Sequence, residues 1–247
     1  MRQFQNSFVG REPELATLRG ALDSLSAGRT RIFLISGEPG IGKTRLAEEV
    51  AAAAVSSVEA LVVWGRCWEG GGAPAYWPWM QILRGLIVEP GPARAIEPGI
   101  PAELAQLIPE LSIEKTPRTI RDPMEARFRL FDATASTLRE LSRRQPIVLI
   151  IDDLQDADQS SLEMLNFVAR TLPDANILII ATYRDAEVQR SPVLAATVAE
   201  LAREAPQLLL HGFSPLEVAG FVQDRAGVNL EQTVVTTIAQ ATAGNPL

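Results

Sequence analysis

Eight consecutive residues, Gly37-Glu38-Pro39-Gly40-Ile41-Gly42-Lys43-Thr44, fit the spacing G-x-x-x-x-G-K-[ST], which suits the wrapping of backbone N–H groups around the oxygens of a nucleoside triphosphate. Side chains would block so close an approach. Gly37, Gly40 and Gly42 therefore allow tight turns and positive φ angles, and a helix that follows would offer its free N–H groups and the positive end of its dipole. Lys43 would reach the β- and γ-phosphates as a point charge, the Thr44 hydroxyl would bind Mg²⁺, and Arg45 completes the set of phosphate-side residues. A glycine-rich strand-to-helix turn carrying a solvated lysine is the bland alternative, but a Lys-Thr pair at these two places serves no purpose in a plain turn.

Hydrolysis needs a second element. Pro146 to Asp153 (PIVLIIDD) is an apolar run ending in two acids and resembles a Walker B strand. Asp152 would hold Mg²⁺ through water, and Asp153 would orient or deprotonate the attacking water. Alone, such an ending is a strand running into a polar loop; downstream of a phosphate loop it gains a role. Ile177 to Arg184 (ILIIATYR) is a further apolar run whose polar end holds Thr182 and Arg184, both within reach of a ligand at the same edge. Arg184 is the sharper candidate, because its planar, permanently charged fork suits a phosphate oxygen, although an arginine leaving a strand for solvent reads the same way.

These residues must be carried by strands and helices in alternation, which predicts a parallel sheet with helices on both faces. Strands are expected near 31–36, 60–66, 146–152, 176–182 and 207–211. Helices are expected near 11–27, 43–58, 76–88, 101–109, 122–144, 159–172, 191–204, 215–226 and 231–242. Nine of the 17 prolines fall between Pro74 and Pro123, so residues about 69–121 read as an insertion of short helices and turns. Its Tyr76-Trp77-Pro78-Trp79 cluster is either a partner surface or, more simply, a satellite hydrophobic cluster.

Composition sets limits. At 247 residues and 47% hydrophobic content the chain can fill one large core or two smaller ones. Its 23 basic and 30 acidic residues give a net charge of −7, which argues against direct nucleic-acid binding by this segment. Arg118, Arg121, Arg127 and Arg129 are interleaved with acids and read as a solvated helix face. One cysteine, Cys67, excludes an internal disulfide, and the lone His211 cannot build a histidine metal site; both read as packing residues. No apolar stretch approaches the ~20 residues that span a bilayer, and the N-terminus lacks an apolar signal region, which predicts a cytoplasmic protein without membrane contact.

The expected strand near residue 63 separates the phosphate loop from the acidic strand, an order that resembles the additional-strand branch of P-loop NTPases, which includes the AAA+ ATPases; the resemblance implies that a polar residue at the tip of the next strand, Thr182 or Arg184, senses the γ-phosphate. Phe8-Val9-Gly10-Arg11-Glu12, the GEPGIGKT loop, Asp152-Asp153-Leu154-Gln155-Asp156-Ala157-Asp158, Ala181-Thr182-Tyr183-Arg184 and Gly244-Asn245-Pro246-Leu247 together resemble the ATPase module of STAND-type signalling ATPases. That module occurs in bacterial transcription regulators of the LuxR and maltose-activator kind, in some adenylate cyclases and kinases, and among origin-recognition-like AAA ATPases. The resemblance places Val9, Gly10 and Arg11 beside the adenine, with Pro246 of the Gly-x-Pro motif. The first segment is also a helix start, with Pro13 and acids in its first turn, and the last is also a helix C-cap.

The resemblance implies a three-layer α/β P-loop ATPase whose core spans 1–228, with 229–247 beginning a helical lid that is cut short. It further implies ATP and ADP as ligands with Mg²⁺, regulatory and output domains beyond the C-terminus, and a homo-oligomer on activation. Catalysis would fall to Lys43, Asp153 and Arg184. Many AAA+ enzymes carry Asp-Glu where this chain has Asp152-Asp153, and the shorter acid implies slow turnover. No arginine finger is assigned, because the sequence does not reveal which of Arg184, Arg190 or Arg203 faces a neighbour. Alternatives are a DNA-associated AAA+ motor of the origin-recognition type, a non-catalytic nucleotide-binding scaffold and, weakest, a small-molecule phosphotransferase.

Overall fold

Apolar residues alternate sides along each strand, so one sheet builds two cores. The computed structural model describes residues 8–88, 100–111 and 122–247. These form a five-stranded sheet from β1 (Arg31–Ser36), β2 (Leu61–Arg66), β3 (Ile147–Asp152), β4 (Ile177–Tyr183) and β5 (Gln207–Leu209). All pairings are parallel, in the order β2-β3-β4-β1-β5. Strands β3 and β4 are buried along their whole length, which is why IVLIID and ILIIATY are continuously apolar until their carboxyl ends.

On one face Phe33, Ile35, Val148, Ile150, Leu178 and Ile180 pack against α1 (Glu12–Asp23) and α2 (Lys43–Val58). On the other, Leu149, Ile151, Ile179 and Ala181 meet α3 (Trp77–Ile87), α4 (Pro123–Arg144), α5 (Gln159–Thr171) and α7 (Pro192–Leu201). A short helix, α6 (Asp185–Val188), leads into α7. The chain closes with α8 (Pro215–Ala226) and α9 (Gln232–Thr242). Helix starts are set by side chains that satisfy otherwise unpaired N–H groups: Asp122 accepts from Met124 and Asp158 from Ser161, while Ser214 and Glu217 form a reciprocal capping box.

The three-layer α/β architecture and all five expected strands are present, with ends shifted by one or two residues. Three local expectations need correction. Residues 102–106 form a 3-10 helix, because Pro101 and Pro109 leave too little chain for a longer one. The short helix α6 falls between β4 and α7, where the sequence reading placed no helix. His211 is exposed, because β5 ends early and Leu210 takes the buried place. Cys67 does pack against the core, and burial beside acidic neighbours pushes its thiol well above the ordinary range.

Within the proline-rich stretch, Trp79 is fully buried and its indole N–H donates to the Ser161 carbonyl, 3.1 Å away. Tyr76 meets Phe131 edge to face, so the aromatic cluster belongs to the core. Arg127 and Arg129 pair with Glu163 and Glu125, whereas Arg118 and Arg121 lie outside the described residues, as does much of the 69–121 insertion. No helix among the described residues is long and apolar enough to cross a membrane.

Candidate functional site

The strand order brings the chemistry together. Because β4 lies between β1 and β3, the loop after β1 and the acids after β3 face each other across the tip of β4. The three glycines of the loop all have positive φ, and Gly42 starts α2 from φ 101°. Lys43 is buried, and its Nζ donates to the carbonyls of Gly37 (3.0 Å) and Glu38 (2.9 Å). Burial lowers the Lys43 pKa, opposed by the charge of Asp153. The Thr44 hydroxyl stands 3.0 Å from both oxygens of Asp152, 108 residues away in sequence.

Thr182, fully buried at the end of β4, joins the two acids. Its hydroxyl donates to Asp152 Oδ1 at 2.6 Å and accepts the backbone N–H of Asp153 at 2.9 Å. Burial pushes the Asp152 carboxyl above the ordinary range, and the bonds from Thr182 and Thr44 oppose that rise. Asp153 follows in a left-handed conformation (φ 61°, ψ 54°) that turns the chain sharply toward the loop. Its Oδ1 lies 3.9 Å from Arg184 Nε, and Arg184 also approaches Glu69 at 3.6 Å. A hydroxyl beside a carboxylate is a pair of hard oxygen donors that would suit Mg²⁺.

A cavity of about 440 Å³ opens in front of this network. Val9, Arg11, Pro39, Gly40, Ile41, Gly42, Lys43, Thr44, Arg45, Asp153, Arg184 and Pro246 all border it. Asp152 stands behind Thr44, and Gly37 and Glu38 face a neighbouring cavity that Arg184 also borders. Gly10 does not line the site: a Cβ there would sit 2.5 Å from Glu217 Oε1, so its smallness admits the capping carboxylate of α8.

Arg11 is a strut rather than a free cation. It is buried, donates to the Ile41 carbonyl at 3.1 Å and lies over the Phe213 ring at 4.9 Å. Its backbone N–H also points to Glu217, 3.4 Å away. The chain end docks on the same loop: Asn245 donates to the Pro39 carbonyl at 2.9 Å, and the N–H of Phe213 donates to the Gly244 carbonyl at 2.8 Å.

Sequence reasoning missed Phe8, Phe213, Phe221 and Arg225, which form the largely apolar side of the cavity. They belong to the segment before α1, to the loop before α8 and to α8 itself, whose pattern says only that it is an amphipathic helix. Thr182 is visible in the sequence as a polar strand tip but stands there behind Arg184; the signal that reverses that order is a threonine at the end of an otherwise wholly apolar central strand.

A P-loop fold whose phosphate loop, acidic strand end and polar strand tip converge on one cavity defines a nucleotide-binding ATPase class. A profile of the AAA ATPase domain matches residues 7–180, and the chain belongs to that family. An uncharacterized protein of Rhizobium meliloti (strain 1021) is 25% identical over 191 residues; the match spans 71% of this chain and 18% of that protein's length. Three solved structures share the fold. Cdc6p of Pyrobaculum aerophilum is 19% identical with TM-score 0.57, covering 99% of this chain and 59% of that one. ORC2 of Aeropyrum pernix, solved in ADPNP-ADP complexes, is 16% identical with TM-score 0.55, covering 93% and 56%. A signal-transduction ATPase with numerous domains and a tetratricopeptide-repeat sensor, from Pyrococcus horikoshii, is 18% identical with TM-score 0.51, covering 98% and 29%.

Proposed function

We propose that this chain binds Mg²⁺-ATP, hydrolyses it slowly and serves as a nucleotide-dependent switch within a larger cytoplasmic signalling or transcription-regulatory protein. The observation that carries the reading is the chain of contacts Thr44–Asp152–Thr182–Asp153, which joins the phosphate loop to the acidic strand end through a third strand. Thr44 and Asp152 would hold Mg²⁺, which supplies charge neutralisation at the phosphates. Lys43 releases the loop carbonyls it now contacts and turns its charge to the β- and γ-phosphates, while the loop amides and the start of α2 hold their oxygens. Asp153 polarises the attacking water, and Arg184 answers the γ-phosphate.

The base occupies the opposite end of the cavity, against Val9, Phe213 and Pro246. Residues 1–228 then make the core and 229–247 the start of the lid, whose docking through Asn245 ties lid position to loop shape. The switch reading draws on the fold shared with the Pyrococcus horikoshii signal-transduction ATPase. Slow turnover follows from the short reach of Asp153 and from its contact with Arg184, which competes for the carboxylate that must address water.

Denaturing the purified protein and identifying the released nucleotide by ion-exchange chromatography tests this directly. Stoichiometric ADP is the expected outcome. Bound ATP that survives incubation with Mg²⁺ would leave a binding scaffold without catalysis, and a protein that is empty and takes up no added Mg²⁺-ATP refutes the reading.

A further inference from the structure

The outer face of α4 and α5 carries apolar side chains that the core does not use. Met124 is 72% exposed and Phe128 60%, both on the first two turns of α4. Phe128 meets Phe167 of α5 edge to face at 5.7 Å, and Phe167 meets the buried Phe131 at 5.6 Å, so a row of rings runs from the core to the surface. Between α4, α5 and the end of α7 these residues border a groove of about 560 Å³, which shares no residue with the nucleotide cavity. A contiguous apolar surface of this kind marks a place of contact.

The charges around the groove say what fits it. Arg127 of α4 pairs with Glu163 of α5 at 2.6 Å, and Arg170 of α5 pairs with Glu200 of α7. From α4 across α5 to α7 the signs therefore run plus, minus, plus, minus. Turned by 180° and laid against itself, that series meets its opposite at every position: Arg127 faces Glu200, and Glu163 faces Arg170, in both directions. These four charges sum to zero on a chain of net charge −7, so a second copy can approach here without the repulsion of the acidic surface. The axis of the rotation falls between Glu163 and Arg170, at Asn166 and Phe167, which lie one turn from each on the same helix. Asn166 borders the groove, and its amide oxygen is buried with no hydrogen-bond partner among the described residues. An amide carries both a donor and an acceptor, so after a turn about its last torsion it can pair with an identical amide across a two-fold axis.

We propose that this face is a two-fold dimer contact, in which a second copy of the chain lays its α4–α5 groove against the first, Phe128 of each copy enters the groove of the other, and the two Asn166 amides pair on the axis. Apolar burial holds the copies together, while the charges set their orientation. No residue of the nucleotide cavity takes part, so association should be the same with and without nucleotide. A head-to-tail ring is a different arrangement, because it joins two unlike surfaces.

Sedimentation equilibrium of the full chain should show monomer and dimer in exchange, and Phe128→Asp should weaken the dimer on the order of a hundredfold or more. Arg170→Glu sets an acid against Glu163 of the other copy, and Glu163→Arg sets a base against Arg170, so each variant alone should associate poorly. An equimolar mixture of the two should recover the dimer, since every reversed charge then faces an opposite one. Asn166→Cys should link to its own copy through a short bismaleimide, with the wild type, whose packed Cys67 is its one thiol, as the unlinked control.

A wild type that stays monomeric across its soluble range overturns the proposal, as does a dimer that survives Phe128→Asp. A mixture that associates no better than its components overturns it as well. Assemblies in which Asn166→Cys does not link to itself mark a head-to-tail contact and refute the two-fold arrangement. Phe128 and Arg170 are exposed, so their variants should keep the Tm of the wild type; if Phe128→Asp lowers it, the mixing experiment still decides.

Discussion

Replacing Thr182 with valine keeps the shape of the side chain and removes one oxygen, so its effect isolates the hydroxyl that joins the acidic strand end to β4. Two losses follow. Asp152, already buried, loses a donor at 2.6 Å, a bond to a charged group that is typically worth about 1.5–3 kcal/mol. The N–H of Asp153 loses its acceptor at 2.9 Å, and an orphaned buried donor costs about 1–3 kcal/mol. Together they predict a destabilisation of roughly 3–5 kcal/mol, or a fall in Tm of roughly 6–20 °C for a chain of this size. Thr182→Ser keeps the hydroxyl and should lose only about 1 kcal/mol for the missing methyl.

The valine effect depends on pH in a definite direction. Burial raises the Asp152 pKa in the folded protein above its unfolded value, so Asp152 adds stability below the unfolded value and loses it as pH rises through the folded one. The Thr182 bond favours the ionised form; without it the folded pKa climbs further. The carboxylate part of the loss is thus expressed at neutral pH and fades where Asp152 is protonated, while the part from Asp153 N–H persists. Thermal unfolding of both variants, followed by circular dichroism at neutral pH and at a pH acid enough to protonate Asp152, measures this. A valine variant within about 1 kcal/mol of the serine variant at neutral pH refutes the reasoning, since water or another group would then be replacing the hydroxyl.

Lys43→Ala should reduce ATP affinity roughly a hundredfold or more, the loss of two charge-assisted phosphate contacts, read by calorimetric titration with Mg²⁺-ATP; near-normal affinity would move the phosphates away from this loop. Asp153→Asn should bind ATP as the wild type does and lose at least about a hundredfold in phosphate release, and unchanged turnover would remove Asp153 from its role. Gly212→Ala should cost about 1–3 kcal/mol and weaken nucleotide binding, because the added Cβ collides with the Ala243 carbonyl and pushes the end of α9 off the phosphate loop; equal Tm and affinity in parallel melting and binding experiments would show that this docking is dispensable.

The order of strands and helices is written along the chain, because buried strands must be continuously apolar and helices must start where Asp158 or Ser214 can satisfy free N–H groups. The phosphate loop is equally legible: its glycines are demanded by backbone geometry that no tertiary contact could replace. Arg11, by contrast, reads in sequence as a helix start or a base contact, and only packing shows it bridging the loop, α8 and Phe213. The apolar wall from Phe213 and Phe221 is also invisible there, since an aromatic residue beside or on an amphipathic helix carries no mark of which neighbour it will meet. Local sequence thus determined which groups could bind a phosphate. Tertiary structure decided which of them meet, because the placement of β4 between β1 and β3 puts Thr182 between Asp152 and Asp153, a contact between segments that are distant in the chain and adjacent only in the sheet.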